Sequence, residues 1–301
     1  MQASIIDEIR QLKKERNAVI LAHNYQRAEV QDVADYVGDS FGLSQKAVES
    51  DAKVIVFCGV DFMAESAAIL NPDKLVLNPM PEAGCPMACM VTAADVRALR
   101  KQYPGAEVVC YVNSRADVKA ESDVCCTSSN AVKVVNSLKG DEAIFIPDKN
   151  LAYYTQKFTT KKIHVWNGYC PTHHLITAGD VLVAKMEHPG AEVIVHPECR
   201  PEVIDLADKV FSTDGMIKYA REAKKDLVIG TESGIIHRLE KENPGKRFYS
   251  LSAYTICPNM KMNSLETVRD SLRLMKTPVR VPEDIRIRAK RALDRMLEVG
   301  R

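Results

Sequence analysis

Short apolar runs that end in a polar or aromatic residue recur along the chain. Residues 18–23 (AVILAH), 107–111 (EVVCY) and 192–196 (EVIVH) each read as a strand. So do 54–57, 143–146 and 227–230, and then 75–77, 163–165 and 248–250. These runs are apolar throughout instead of alternating, the pattern of strands covered on both faces in a parallel sheet. Helical periodicity fills the spaces between them, at 92–102, 129–138 and 213–223. Thr92 with Asp95 has the spacing of a capping box, and Thr213 followed by Asp214 reads as a helix start.

The pattern is a repeat. Seventeen residues after His23, Tyr111 and His196 stands a hydroxyl: Ser40, Ser128 and Thr213. The approach is similar in two copies (ADYVGDS, ADKVFST), and the looser middle copy (SDVCCTS) keeps the Asp. Each copy closes on Cys-Pro, at Cys85, Cys170 and Cys257. One βα unit written three times, with about four short strands per copy, predicts an α/β protein. Its three similar α/β/α units, with short parallel sheets, surround a pseudo-threefold axis with the active site at their centre. The units are expected at 1–91, 92–178 and 179–264, with a charged helical tail, 265–301, packing back on the first.

In open parallel sheets, ligands bind beyond the carboxyl ends of the strands. His23, Tyr111 and His196 fall there. Ser40, Ser128 and Thr213 are expected at helix starts, where backbone N–H groups attract anions. Three copies facing one centre would bring three anion pockets and three Cys-Pro thiols together. A structural zinc site wants four ligands, usually in local pairs, whereas an iron–sulfur cluster accepts cysteines far apart in sequence. Three thiolates leave one iron of a [4Fe–4S] cluster free of protein, open to a hydroxyl or carboxylate as a Lewis acid. Such a site suits dehydration better than electron transfer.

Composition narrows the alternatives. Lys and Arg total 41 against 40 Asp and Glu, so no basic excess points to nucleic acid. No apolar run has the length of a membrane span, and the N-terminal residues lack the layout of a signal peptide. These features predict a cytoplasmic protein without nucleic-acid or membrane partners. Nine cysteines, an odd number, argue against a disulfide framework there. No CxxC occurs, and Cys85 with Cys89 forms a CxxxC that lacks the third cysteine of a radical-SAM motif, since position 92 is Thr92.

Each signal also has a plain structural reading. Cys58, Cys110, Cys125, Cys126 and Cys199 lie in or beside apolar strands and read as core thiols. Ser128 and Thr213 could be ordinary N-caps, and His23 a strand-end cap. Of His173 and His174, adjacent in sequence, only one is expected to face a common site. Asp61 and Glu232 fall at matching strand ends, as groups supporting the site from behind.

The chain resembles the bacterial quinolinate synthase family. The resemblance is carried by ILAHNYQ (20–26), GDSF (38–41), NPMPEAGCPMA (78–88), YVNS (111–114), NGYCPTHH (167–174), HPEC (196–199), STDGM (212–216), GTESG (230–234) and ICPNMK (256–261). It implies a transferase that condenses iminoaspartate with dihydroxyacetone phosphate to quinolinate, phosphate and water. It also implies an oxygen-sensitive [4Fe–4S] cluster on Cys85, Cys170 and Cys257. Substrate-binding positions would be His23, Ser40, Tyr111, Asn113, Ser128, His196, Glu198 and Thr213. Tyr25, His23, Glu198 and His173 would be catalytic. Iminoaspartate further implies functional coupling to an aspartate-oxidising enzyme. Two other readings stay open: a different three-cysteine cluster hydro-lyase, separable by substrate profiling, and a non-enzymatic iron–sulfur sensor, which should carry a partner-binding module. Cys89 is left without a role, although its place beside Cys85 would allow a disulfide when the cluster is absent.

Overall fold

The computed structural model describes residues 2–300. It contains three four-stranded parallel sheets. The first holds β1 (Ala18–His23), β2 (Tyr36–Gly38), β3 (Val54–Cys58) and β4 (Leu75–Leu77). The second holds β5 (Glu107–Tyr111), β6 (Val124–Cys126), β7 (Glu142–Ile146) and β8 (Lys162–Val165). The third holds β9 (Glu192–Val195), β10 (Lys209–Val210), β11 (Leu227–Gly230) and β12 (Phe248–Ser250). The spatial order is the same in each: second, first, third, fourth. The protein is therefore α/β, built of three similar α/β/α units.

The Asp retained in all three copies explains itself in this frame. Asp35, Asp123 and Asp208 sit just before the second strand of each unit. Their carboxylates accept the backbone N–H of Ile20, Val108 and Val193 at 2.8, 2.7 and 2.8 Å. Each satisfies an amide of the central strand that the very short neighbouring strand leaves unpaired. The expected capping box at Thr92 and Asp95 is present, and Thr177 with Asp180 repeats it before the third unit.

Two expectations are corrected. The middle helix is shorter than 129–138, running Ala131–Asn136 behind Asn130. Ser128 therefore lies in the preceding turn, where Asn130 Oδ1 accepts from the Thr127 backbone at 2.7 Å, and not at a helix start. The tail does not lie wholly on the first unit. Helix Leu265–Leu274 does, burying Leu265, Val268 and Leu272 with Ile9 and Leu12 of helix Gln2–Glu15. Helix Glu283–Gly300 crosses to pack on helix Ala116–Ala120 and β6 of the second unit as well as on Asp61–Leu70 of the first. Its buried Ala289, Ala292, Leu293 and Met296 make the apolar stripe. Arg288 and Arg295 reach Glu121 and Glu107 of the second unit at 2.9 and 2.8 Å. No helix among the described residues is long and apolar enough to cross a membrane.

Candidate active site

The carboxyl ends of the three sheets converge on one cavity of about 170 Å3. A single water needs only about 10–15 Å3 by the same measure. His23, Tyr25, Ser40, Tyr111, Asn113, Ser128, His173, His196, Glu198, Thr213, Cys85, Cys170 and Cys257 all line it. Asp39, Phe62, Met63, Thr127, Thr172, Glu232, Asn259 and Met260 line it too. No Lys or Arg is among the described lining residues, so a polyanionic ligand would be held by neutral donors and helix ends.

Those donors are oriented from behind. His23 Nδ1 accepts the Tyr25 backbone N–H at 3.2 Å, and His196 Nδ1 accepts that of Glu198 at 3.3 Å. Burial pushes both histidines down to about 3. Each ring is thus neutral, with its proton on Nε2. His196 Nε2 donates to Ser128 Oγ at 3.1 Å. Asn24 Nδ2 donates to Thr213 Oγ1 at 3.2 Å, its amide fixed by Arg238, which donates to Asn24 Oδ1 at 2.9 Å. Ser128 and Thr213 accept from behind and so have their own protons free for the cavity. Neither is an N-cap. Ser212 caps the helix that Thr213 begins, and Asp39 caps the one that Ser40 begins. Asn113 Oδ1 is buried without a partner, the state of an acceptor awaiting a ligand N–H or O–H.

A hydrogen-bonded chain crosses the cavity wall. His173 Nδ1 lies 2.7 Å from Glu198 Oε2. His173 Nε2 lies 2.8 Å from Thr231 Oγ1, which lies 2.6 Å from the Tyr25 hydroxyl. Burial alone would raise Glu198, but His173 outweighs it, with help from His196 and Tyr111, and holds the carboxyl down to about 2. Burial and then the Glu198 charge push the Tyr25 and Tyr111 phenols well up. The chain thus joins an ionised carboxylate to a protonated phenol. Thr231 escaped the sequence reading, although it stands one residue past β11, where the strand-end rule points. His174, in contrast, turns away to pack against Tyr169 at 4.3 Å between ring centroids.

The three Cys-Pro thiols come one from each unit. Burial raises Cys85 to about 12 and Cys170 and Cys257 above their usual range, and Cys85 is raised further by Cys257, as is Cys170 by Cys85. Among the described residues, one set of three potential ligand atoms falls within 4.8 Å of one another: those of Cys170, His173 and Glu198. The three thiols are spread wider than that. One tetrahedral ion, with ligands about 2.3 Å away, cannot take all three. A multi-iron cluster that uses one thiolate per iron suits the donor type. Cys58, Cys110, Cys125, Cys126 and Cys199 are fully buried and Cys89 is exposed.

Three parallel α/β/α units around a pocket of thiols, imidazoles and a buried carboxylate define an α/β enzyme with a central, metal-compatible site. The profile of the Quinolinate synthetase A protein family matches residues 7–298. "Quinolinate synthase" of Methanosarcina barkeri is 58% identical over 299 residues, covering 99% of this chain and 98% of the relative. That of Dehalococcoides mccartyi is 56% identical over 296 residues, 98% of each. That of Geobacter metallireducens is 56% identical over 303 residues, the whole of both. The chain belongs to the Quinolinate synthetase A protein family.

Proposed function

We propose that this chain condenses iminoaspartate with dihydroxyacetone phosphate to give quinolinate, phosphate and water, with a [4Fe–4S] cluster held by Cys85, Cys170 and Cys257. The observation that carries the reading is the meeting of three thiols, one per unit, beside the Glu198–His173–Thr231–Tyr25 chain in one cavity. When bound, the cluster would supply an open iron as a Lewis acid. The chain's own residues bind and move protons. Ser128, Thr213, Ser40 and the Nε2–H group of neutral His23 offer donors to carboxylate and phosphate oxygens, while the Nε2–H of His196 orients Ser128. Asn113 Oδ1 takes a ligand N–H or O–H. Glu198, ionised, accepts a proton from substrate carbon, and His173 beside it steadies the charge. Tyr25, protonated, gives a proton to a leaving oxygen and is resupplied through Thr231. Iminoaspartate, an oxidation product of aspartate, would come from an aspartate-oxidising enzyme.

The test is quinolinate formation by anaerobically reconstituted protein given both substrates, beside Cys170→Ala, with iron and sulfide counted. Product from the wild type and none from the variant is expected. The compact set of Cys170, His173 and Glu198 favours a second reading, a single divalent ion. One metal per chain without sulfide would establish that reading. A full cluster without product would leave another hydro-lyase.

A further inference from the structure

A carboxylate recurs behind each thiol. Just past the third strand of each unit stand Asp61, Asp148 and Glu232. Asp61 Oδ1 accepts the backbone N–H of Cys85 at 3.3 Å, Asp148 Oδ2 that of Cys170 at 3.2 Å, and Glu232 Oε1 that of Cys257 at 3.1 Å. We propose that these three carboxylates are positioning residues for the thiolates, fixing each cysteine's backbone so that its sulfur leaves in the direction the cluster needs. The proposal rests on the reading of the three cysteines as cluster ligands. Each cysteine is then clamped on both sides, by an anchored N–H before it and by the fixed φ of the following proline after it.

The burial of these groups argues against incidental contact. Asp148 and Glu232 are fully buried, and a buried carboxylate persists only where its oxygens are satisfied. Asp148 is satisfied by N–H groups: Asn150 and Leu151 on Oδ1, Cys170 on Oδ2. Glu232 takes Cys257 on Oε1 and Gly234 on Oε2, with the Lys261 ammonium 2.9 Å from Oε1. Asp61 differs. Both of its N–H donors, Phe62 and Cys85, use the one oxygen Oδ1.

That difference separates an acceptor role from a charge role. An asparagine has one acceptor oxygen. Asp61→Asn keeps both bonds and loses only the charge. Asp148→Asn must set an NH2 against an N–H and give up either the helix start or Cys170. Glu232→Gln faces the same conflict. The experiment reconstitutes wild type and the three variants anaerobically. It then follows the visible cluster absorbance while a chelator strips iron, records the spin-resonance spectrum of the reduced cluster, and measures the thermal midpoint of the metal-free proteins.

Asp148→Asn and Glu232→Gln should lose iron about 10- to 100-fold faster than wild type, the scale for groups that orient metal ligands, with altered spectra. Asp61→Asn should strip at the wild-type rate. Equal losses in Asp61→Asn and Asp148→Asn would overturn the proposal in favour of charge. A lowered thermal midpoint with unchanged stripping and spectrum would reduce the carboxylates to helix supports. If Asp148→Asn does not fold, Glu232→Gln decides alone. Failure of the wild type to take up iron and sulfide would instead remove the cluster reading itself, and the proposal with it.

Discussion

His173 Nδ1 lies 2.7 Å from Glu198 Oε2, across the junction of the second and third units, with both side chains all but fully buried. Asn113 Nδ2 reaches the other oxygen of Glu198 at 3.5 Å. Glu198 is therefore held as an ionised carboxylate in a site lined, among the described residues, by no lysine or arginine. Glu198→Gln keeps the shape and removes the basicity. Turnover should fall by about 10²- to 10⁴-fold, the usual value of general acid–base help, with iron and sulfide content unchanged. Steady-state quinolinate formation beside metal analysis checks this. Wild-type turnover in the variant would take Glu198 out of the chemistry.

Thr231 makes a second, subtler test. Its hydroxyl joins His173 to Tyr25, and it is not among the residues that line the cavity. Thr231→Val preserves the branched shape and deletes the link. Losing one buried hydrogen bond to a partly charged group, worth about 1.5–3 kcal/mol, should lower kcat by roughly 10- to 100-fold and KM little. Thr231→Ser should restore most of it. Equal kcat in the valine and wild-type enzymes would mean that protons reach Tyr25 by another route.

At Gly234 the third unit packs closely against the first. A Cβ there would stand 2.8 Å from the carbonyl carbon and oxygen of Tyr25 and 2.5 Å from Lys261 Nζ. The lysine can move, but the Tyr25 backbone is held by the turn that carries the phenol into the site. Gly234→Ala should destabilise the protein by about 1–3 kcal/mol, as overpacking does. It should also lower kcat by displacing Tyr25. Denaturant melts with kinetics on the same samples check both, and a variant as stable and active as wild type would show that the turn yields freely.

The sequence made some of this legible and hid the rest for identifiable reasons. His23, Tyr111 and His196 were readable because strand ends and ligand sites coincide in parallel sheets, and the seventeen-residue spacing singled out Ser40, Ser128 and Thr213. The spacing could not show that Asp39 and Ser212 take the capping work, which leaves Ser40 and Thr213 for the cavity. Asn24 bonds Thr213 across 189 residues of chain, a pairing between units that no local pattern encodes. Asp148 was overlooked although it sits two residues past β7, the same offset at which Glu232 follows β11. The tail was expected on the first unit alone because no local pattern names its partners, while Arg288 and Arg295 in fact pair with Glu121 and Glu107 of the second unit.

Burial keeps His196 neutral, and that has a consequence for stability. Its pKa is pushed from 6.5 down to about 3 by burial, against the pull of Glu198. In the unfolded chain it titrates near 6.5. Between those two values the unfolded chain carries a proton that the folded chain refuses. Stability therefore rises with pH across that window, by about 1.4 kcal/mol per pH unit for one such group, and is lost as acid is added. Above the unfolded pKa both states are neutral and the contribution is flat. His196→Gln removes the group. Asp39, which burial raises to about 6, is common to both proteins and cancels in the difference, and Glu198, which His196 helps to hold down to about 2, stays ionised in the folded wild type throughout the window. The stability of the metal-free wild type relative to the variant should be constant above about pH 7 and decline by about 1.4 kcal/mol per unit from about pH 6 to about pH 4. Urea melts at a series of pH values measure it. An offset that stays the same at both ends would mean that the imidazole takes up its proton in the folded protein as easily as in water.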